Sequence, residues 1–128
     1  MPKPLQLLIV DDEIEFLEAL SRRLSFRGFA VRTATSCEAA LAALADAPSQ
    51  VVILDVMLPD LDGLGCLRRI KERWPQVAVI MLSGHASITA GMEGIACGAS
   101  DYCLKPVELV ELVEKIHIAY AEALARSS

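Results

Sequence analysis

Short, unbroken runs of Val, Ile and Leu alternate along this chain with stretches of helical periodicity, and few architectures satisfy that pattern. Residues 5–10, apolar but for Gln6, and the continuous apolar runs 51–54 and 77–82 carry the signature of strands covered on both faces in a parallel sheet. Residues 29–34 are interrupted by Arg32 and Thr33, which fits a strand at the edge of the sheet. A fifth, shorter candidate at 101–104 runs into Lys105-Pro106. Between these segments Ile14, Leu17, Leu20 and Leu24 recur at steps of three and four, one apolar stripe on a helix that Gly28 can end in the left-handed conformation. A second helix is predicted from the capping-box spacing of Thr35-Ser36-Cys37-Glu38 to Pro48. Leu64, Leu67 and Ile70 mark a third, which must stop before Pro75. The fourth, about 87–97, is weakened by Gly91 and Gly94, and the fifth, 108–125, carries Leu109, Leu112, Val113, Ile116 and Tyr120 along one stripe.

Five successive β-α units joined by right-handed crossovers give a doubly wound α/β sandwich with a parallel sheet at its centre. Composition agrees. The 128 residues suffice for a single domain, expected to span 1–128, and 54% hydrophobic against 23% charged residues exclude disorder. A net charge of −5 argues against direct nucleic-acid binding. Mean hydropathy is +0.44, yet no apolar run approaches the ~18–20 residues of a spanning helix, and Met1-Pro2-Lys3-Pro4 does not open a signal peptide, so no membrane role and a cytoplasmic location are expected. Cys37, Cys66, Cys97 and Cys103 form no CxxC pair and are read as small buried hydrophobes.

In such sheets ligands gather beyond the carboxyl ends of the strands, where the strand order reverses. The first strand ends in Asp11-Asp12, followed by Glu13, and the third in Asp55. If these strands are neighbours, three carboxylates converge, and their repulsion raises their pKa values or demands a cation. A hard divalent ion such as Mg²⁺ suits oxygen ligands of this kind. Taken alone, Asp11 and Asp12 fit equally well as caps of the first helix. The fourth strand ends in Ser83-Gly84 and the fifth in Lys105-Pro106, a candidate for a cis peptide bond. A hydroxyl, an ammonium and a carboxylate-bound metal at one edge form a constellation that neutralises a phosphoryl group.

Asp11-Asp12, the run Val51-Val52-Ile53-Leu54-Asp55-Val56-Met57-Leu58-Pro59-Asp60-Leu61-Asp62-Gly63, Ser83-Gly84 and Gly98-Ala99-Ser100-Asp101-Tyr102-Cys103-Leu104-Lys105-Pro106 together resemble the response-regulator receiver domain of bacterial two-component signalling, from the first strand to the last helix. The resemblance implies a flavodoxin-like five-stranded parallel sheet of order 2-1-3-4-5 with five helices. It implies Asp55 as the acceptor of a phosphoryl group from a phosphohistidine on a partner. Mg²⁺ would be held by the Asp12 and Asp55 side chains and the Met57 backbone carbonyl, with Asp11 acting directly or through water. Lys105 would pair with the phosphoryl group, Ser83 would hydrogen-bond it, and Tyr102 would be the switch aromatic that turns inward as Ser83 moves. The partners implied are a sensor histidine kinase or phosphotransfer protein and a downstream protein or fused output domain, with the face of the fourth helix, fifth strand and fifth helix as output surface and possible homodimer contact.

Met57 and His85 occupy positions that flank the path of the hydrolytic water in that family; Met57 would shield an acyl phosphate, and His85 is either a base for that water or a plain loop residue. His117 is expected at the surface or in packing. Three other readings compete with a signalling switch. A pseudo-receiver would keep the fold for constitutive binding, against which the intact set Asp11, Asp12, Asp55, Ser83 and Lys105 speaks. An aspartate-nucleophile phosphohydrolase would need an Asp-x-Asp nucleophile motif early in the chain, which is missing, and a cap domain, for which 128 residues leave little room. A flavodoxin is disfavoured by the acidic first loop, where a phosphate cradle would be rich in Gly, Ser and Thr.

Overall fold

A computed structural model of the protein describes residues 3–84 and 88–127, the side chains of 88–90 and 127 excepted. Five strands, β1 (Gln6–Val10), β2 (Ala30–Ala34), β3 (Val51–Asp55), β4 (Ala78–Ser83) and β5 (Asp101–Leu104), alternate with five helices: α1 (Ile14–Phe26), α2 (Cys37–Asp46), α3 (Gly63–Arg73), α4 (Ile88–Ala96) and α5 (Leu109–Ser127). The sheet is parallel throughout, in the order β2-β1-β3-β4-β5. The mixed run at 29–34 is therefore an edge strand, as its composition requires. Every residue of β3 and β4 is buried, because these central strands carry helices on both faces.

Two cores follow from the alternation of side chains along the strands. Leu7, Ile9, Ile53, Ile80 and Leu82 pack with Leu17, Leu20 and Leu24 of α1 and Leu112 and Ile116 of α5. On the opposite face Leu8, Val10, Leu54, Val79 and Met81 pack with Ala40 and Leu44 of α2 and Leu67 and Ile70 of α3. The stripe predicted for α1 is corrected at its first member: Ile14, the first residue of the helix, is exposed, and the buried stripe begins at Leu17. Gly28 follows the C-cap with φ +97°, in the left-handed region that a glycine enters without steric cost. The cap of α2 is shifted by one residue from the predicted box. Ser36, not Thr35, accepts the Ala39 N–H at 3.1 Å.

The amino edge of the sheet is fastened by cations on backbone oxygens. Arg32 donates to the carbonyls of Ala43 and Ala47 and to Ser49 Oγ, and Lys71 Nζ donates to the carbonyls of Pro75 and Val77 at 2.9 and 2.7 Å. Trp74 lies beside them with the Arg73 guanidinium 4.6 Å from its ring centroid. His117 is exposed, against the Phe29 ring. No helix among the described residues is long and apolar enough to cross a membrane.

The reading of all four cysteines as isolated hydrophobes is corrected. Cys37 and Cys66 are joined as a disulfide between α2 and α3, with Cα atoms 5.7 Å apart. A search for CxxC spacing misses this pair because it forms in space, across 29 residues of sequence. Cys97 and Cys103 are free, and burial pushes the Cys103 thiol up to about 11, the state of an inert core residue.

Candidate phosphoacceptor site

Buried polar groups need partners, so their distribution points to where the fold has a use for them. Among the described residues the buried polar or charged ones are Asp11, Ser49, Asp55 and Ser83, and three of these four stand at the carboxyl edge of the sheet. Adjacency of β1 and β3 brings Asp11, one residue past β1, beside Asp55, the last residue of β3. Carboxylate oxygens of Asp11, Asp12 and Asp55 lie within 4.8 Å of one another, with Asp11 and Asp55 buried and Asp12 exposed. Part of the capping alternative also holds. Asp11 Oδ1 accepts the Glu13 N–H at 2.9 Å, shaping the turn into α1, while the N-cap itself, Glu13, makes no side-chain capping bond.

Lys105 arrives from the end of β5, positioned by its own N–H on the Ser83 carbonyl and followed by the cis peptide to Pro106. Its Nζ lies 2.7 Å from Asp11 Oδ2, 2.7 Å from Glu13 Oε1 and 3.3 Å from Asp55 Oδ2, and 4.4 Å from the centroid of the Phe16 ring. The Asp11 contact is an ion pair whose angles fall outside those of a hydrogen bond, so this buried oxygen is compensated by charge alone. Three carboxylates thus face a single ammonium, with a fourth, Asp12, clustered against two of them. Burial alone would pull the Lys105 pKa down, but the Asp11 and Glu13 carboxylates held against its ammonium, with the charge of Asp55, keep it well above its ordinary value. Glu13 is correspondingly depressed by its bond to Lys105.

Asp55 has the opposite problem. Burial raises its pKa and the Asp11 charge adds to the rise, against the Met57 N–H and Lys105, which favour the ionised form. Its Oδ1 accepts the Met57 N–H at 3.2 Å and its Oδ2 faces Lys105. What the structure shows of Met57 is this N–H contact; its side chain is 61% exposed. A cluster of hard oxygen donors with excess negative charge and one buried oxygen lacking a directed hydrogen bond fits a divalent cation.

Ser83 closes β4 at the same edge and is buried. Tyr102 is half-buried on β5, packed toward α4, where a Cβ on Gly91 would lie 3.1 Å from its ring. His85 lies outside the described residues.

Four features were not foreseen from sequence. Glu13 shares Lys105, a pairing across 92 residues that no local pattern announces. Asp60 accepts the N–H groups of Cys37 and Glu38 at 3.0 and 2.9 Å, tying the loop after Asp55 to the start of α2, and these bonds depress its pKa. Gly63 donates to the Val56 carbonyl, and a Cβ there would lie 2.5 Å from Val56 Cα and 2.6 Å from the Asp55 carbonyl, so this loop closes only on a glycine. The fourth is the Cys37–Cys66 pair. Capping of α3 by Asp62, which accepts the Gly65 N–H at 2.7 Å, completes the loop.

Comparison with known proteins follows the same lines. Residues 7–117 match the response regulator receiver domain family. The response regulator MprA of Mycolicibacterium vanbaalenii is 35% identical over 113 residues, 88% of this chain and 49% of that protein, so the chain spans about half the length of such curated relatives. A CheY-like receiver domain protein from Methanospirillum hungatei superposes with a TM-score of 0.90 at 29% identity, covering 96% of this chain and 98% of the other. A response regulator from Burkholderia pseudomallei, solved with a phosphorylated aspartic acid, a calcium ion and citrate, superposes with a TM-score of 0.84 at 26% identity over 97% of this chain and 73% of its own. With the order β2-β1-β3-β4-β5 and the acidic carboxyl edge already in place, these matches make the chain a member of the response regulator receiver domain family, the regulatory domain of two-component systems.

Proposed function

We propose that residues 1–128 act as one phosphorylation-dependent switch in which Asp55 is the acceptor. The observation that carries this reading is Asp55 itself: a buried carboxylate at a strand end, one oxygen on the Met57 N–H and the other facing Lys105. An Asp55 oxygen attacks the phosphorus of a phosphohistidine on a sensor histidine kinase or phosphotransfer protein. The O–P bond forms as the P–N bond breaks, and the electron pair of that bond leaves with the imidazole. Lys105 offsets the charge of the transferred group and orients it, and the Met57 N–H holds the carboxylate in place. Asp11, Asp12, Asp55 and the Met57 backbone carbonyl would hold Mg²⁺, which when bound supplies neutralisation of the phosphoryl oxygens. The calcium ion and phosphorylated aspartic acid of the Burkholderia protein support this assignment by likeness.

Once phosphorylated, Asp55 draws the Ser83 hydroxyl toward it, and Tyr102 turns inward against α4. Output then passes to a downstream protein or a fused output domain across the face of α4, β5 and α5, which also serves for homodimer contact. The domain turns over no substrate beyond its own phosphorylated form and is regulatory rather than an enzyme, acting in the cytoplasm without contacting nucleic acid or membrane itself. Intact-protein mass spectrometry after incubation with acetyl phosphate, with and without Mg²⁺, tests the reading. A gain of one phosphoryl group that requires Mg²⁺ and vanishes in Asp55→Ala is the expected result. No gain, under conditions that label an established receiver, would leave a pseudo-receiver that binds constitutively.

A further inference from the structure

The first residue of α2 and the first turn of α3 are joined by a covalent bond for which the phosphoacceptor chemistry has no use. Cys37 and Cys66 are buried, and their Cα separation of 5.7 Å is that of an ordinary disulfide, so the fold accommodates the bond where the backbone already stands. The segment 56–62 reaches both cysteines: it leaves Asp55, donates the Met57 N–H back to it, accepts the Cys37 N–H through Asp60, and through Asp62 caps α3 and accepts the Cys66 N–H. The disulfide therefore fastens together the two helices that this segment bridges.

We propose that Cys37 and Cys66 form a reversible dithiol–disulfide site, oxidised by a small-molecule disulfide of the glutathione type. Cys37 is the attacking sulfur, because a position at a helix N-terminus favours the thiolate, although the neighbouring Asp60 carboxylate works against it. The Cys37 thiolate attacks one sulfur of the small disulfide, whose S–S bond breaks and releases the first thiol. The Cys66 thiolate then attacks Cys37 in the mixed disulfide and expels the second. Two electrons pass from the protein to the oxidant, the two protein protons end on the two released thiols, and one protein disulfide replaces one small-molecule disulfide. In a reducing compartment such a bond is made and unmade rather than kept as a permanent staple. Oxidised, the pair restrains segment 56–62; reduced, that segment is left to the Asp60 and Asp62 bonds. The effect on Asp55 chemistry rests on the phosphoacceptor reading, whereas the thiol chemistry does not.

The test uses the full chain carrying Cys97→Ser and Cys103→Ser, equilibrated at graded ratios of oxidised to reduced glutathione, acid-quenched, alkylated and weighed. Native packing that is stabilised by a disulfide must favour that disulfide equally, so the native chain is expected to cross-link at a ratio about 30-fold lower than the urea-unfolded chain. Peptide mapping should place the link at Cys37 and Cys66, and amide exchange across 56–66 should be slower in the oxidised form. Two free thiols in the native chain at a ratio that cross-links the unfolded one, or a glutathione adduct as the end product, would overturn the proposal. Equal exchange in the two forms would overturn its link to the acceptor loop. The unaltered chain, assayed in parallel by mapping, covers failure of the double variant to fold. Asp55→Asn should keep the whole redox response, which separates failure of this inference from failure of the phosphoacceptor reading.

Discussion

Lys71 and Lys105 stand at opposite edges of one sheet in opposite surroundings. Lys71 ends on two neutral carbonyls, those of Pro75 and Val77, and burial together with the charge of Arg126 draws its pKa down. Lys105 ends among Asp11, Glu13 and Asp55, whose charges overcome burial and push its pKa up. A cation on carbonyls closes a loop and asks for nothing more. A cation shared by several carboxylates leaves negative charge in excess, and that excess is an invitation to a further cation. The same residue type thus closes a loop at the amino edge and gathers carboxylates at the carboxyl edge, and the difference lies in the charge of the acceptors.

Replacing the two lysines separates these roles. Lys105→Met leaves Asp11 and Asp55 buried without a counter-charge and is expected to lower unfolding stability in chelator by about 3 kcal/mol, with much of the loss recovered on adding Mg²⁺. Urea titrations with and without the ion measure both, and a loss that Mg²⁺ does not relieve would break the comparison. Lys71→Met should cost about 1–2 kcal/mol through two carbonyls left without their donor. That cost should be indifferent to Mg²⁺, and labelling by acetyl phosphate should be unchanged. The smallest effect sharpens the carboxyl edge alone. Because burial holds Asp55 above its ordinary 3.8, its ionised form opposes folding; this penalty is complete above the raised pKa and is relieved as pH falls through it. Asp55→Asn should therefore be more stable than the parent at pH 7 without divalent ions, and the gap in urea midpoints should close on acidification.

The strands were legible because a centrally buried strand must be apolar on both faces, and the runs at 51–54 and 77–82 have no other use. Their carboxyl ends were legible too: Asp55 and Ser83, the polar residues that close the two apolar runs, are the last residues of β3 and β4. Asp11, Asp12, Asp55 and Lys105 were legible from the same logic, since strand ends converge once the order of strands is known. What stayed hidden depends on pairings that a linear pattern does not encode. Glu13 reaches Lys105 only because β1 and β5 end at the same edge, and Asp60 caps a helix that precedes it by more than twenty residues. Cys37 and Cys66 had a signal that spacing rules ignore: each falls on the buried face of its helix, and α2 and α3 cover the same side of the sheet.

The chain's single tryptophan, Trp74, sits under Arg73 at the amino edge, far from the acidic cluster. Its emission is thus a distant listener: it reports the packing around Lys71 and Arg73 and has no direct view of Asp55. A change in that emission on addition of a phosphodonor would be a signal carried along the length of β3 and β4, whereas silence, with Asp55 labelled, would confine the rearrangement to the half of the domain that bears the charge.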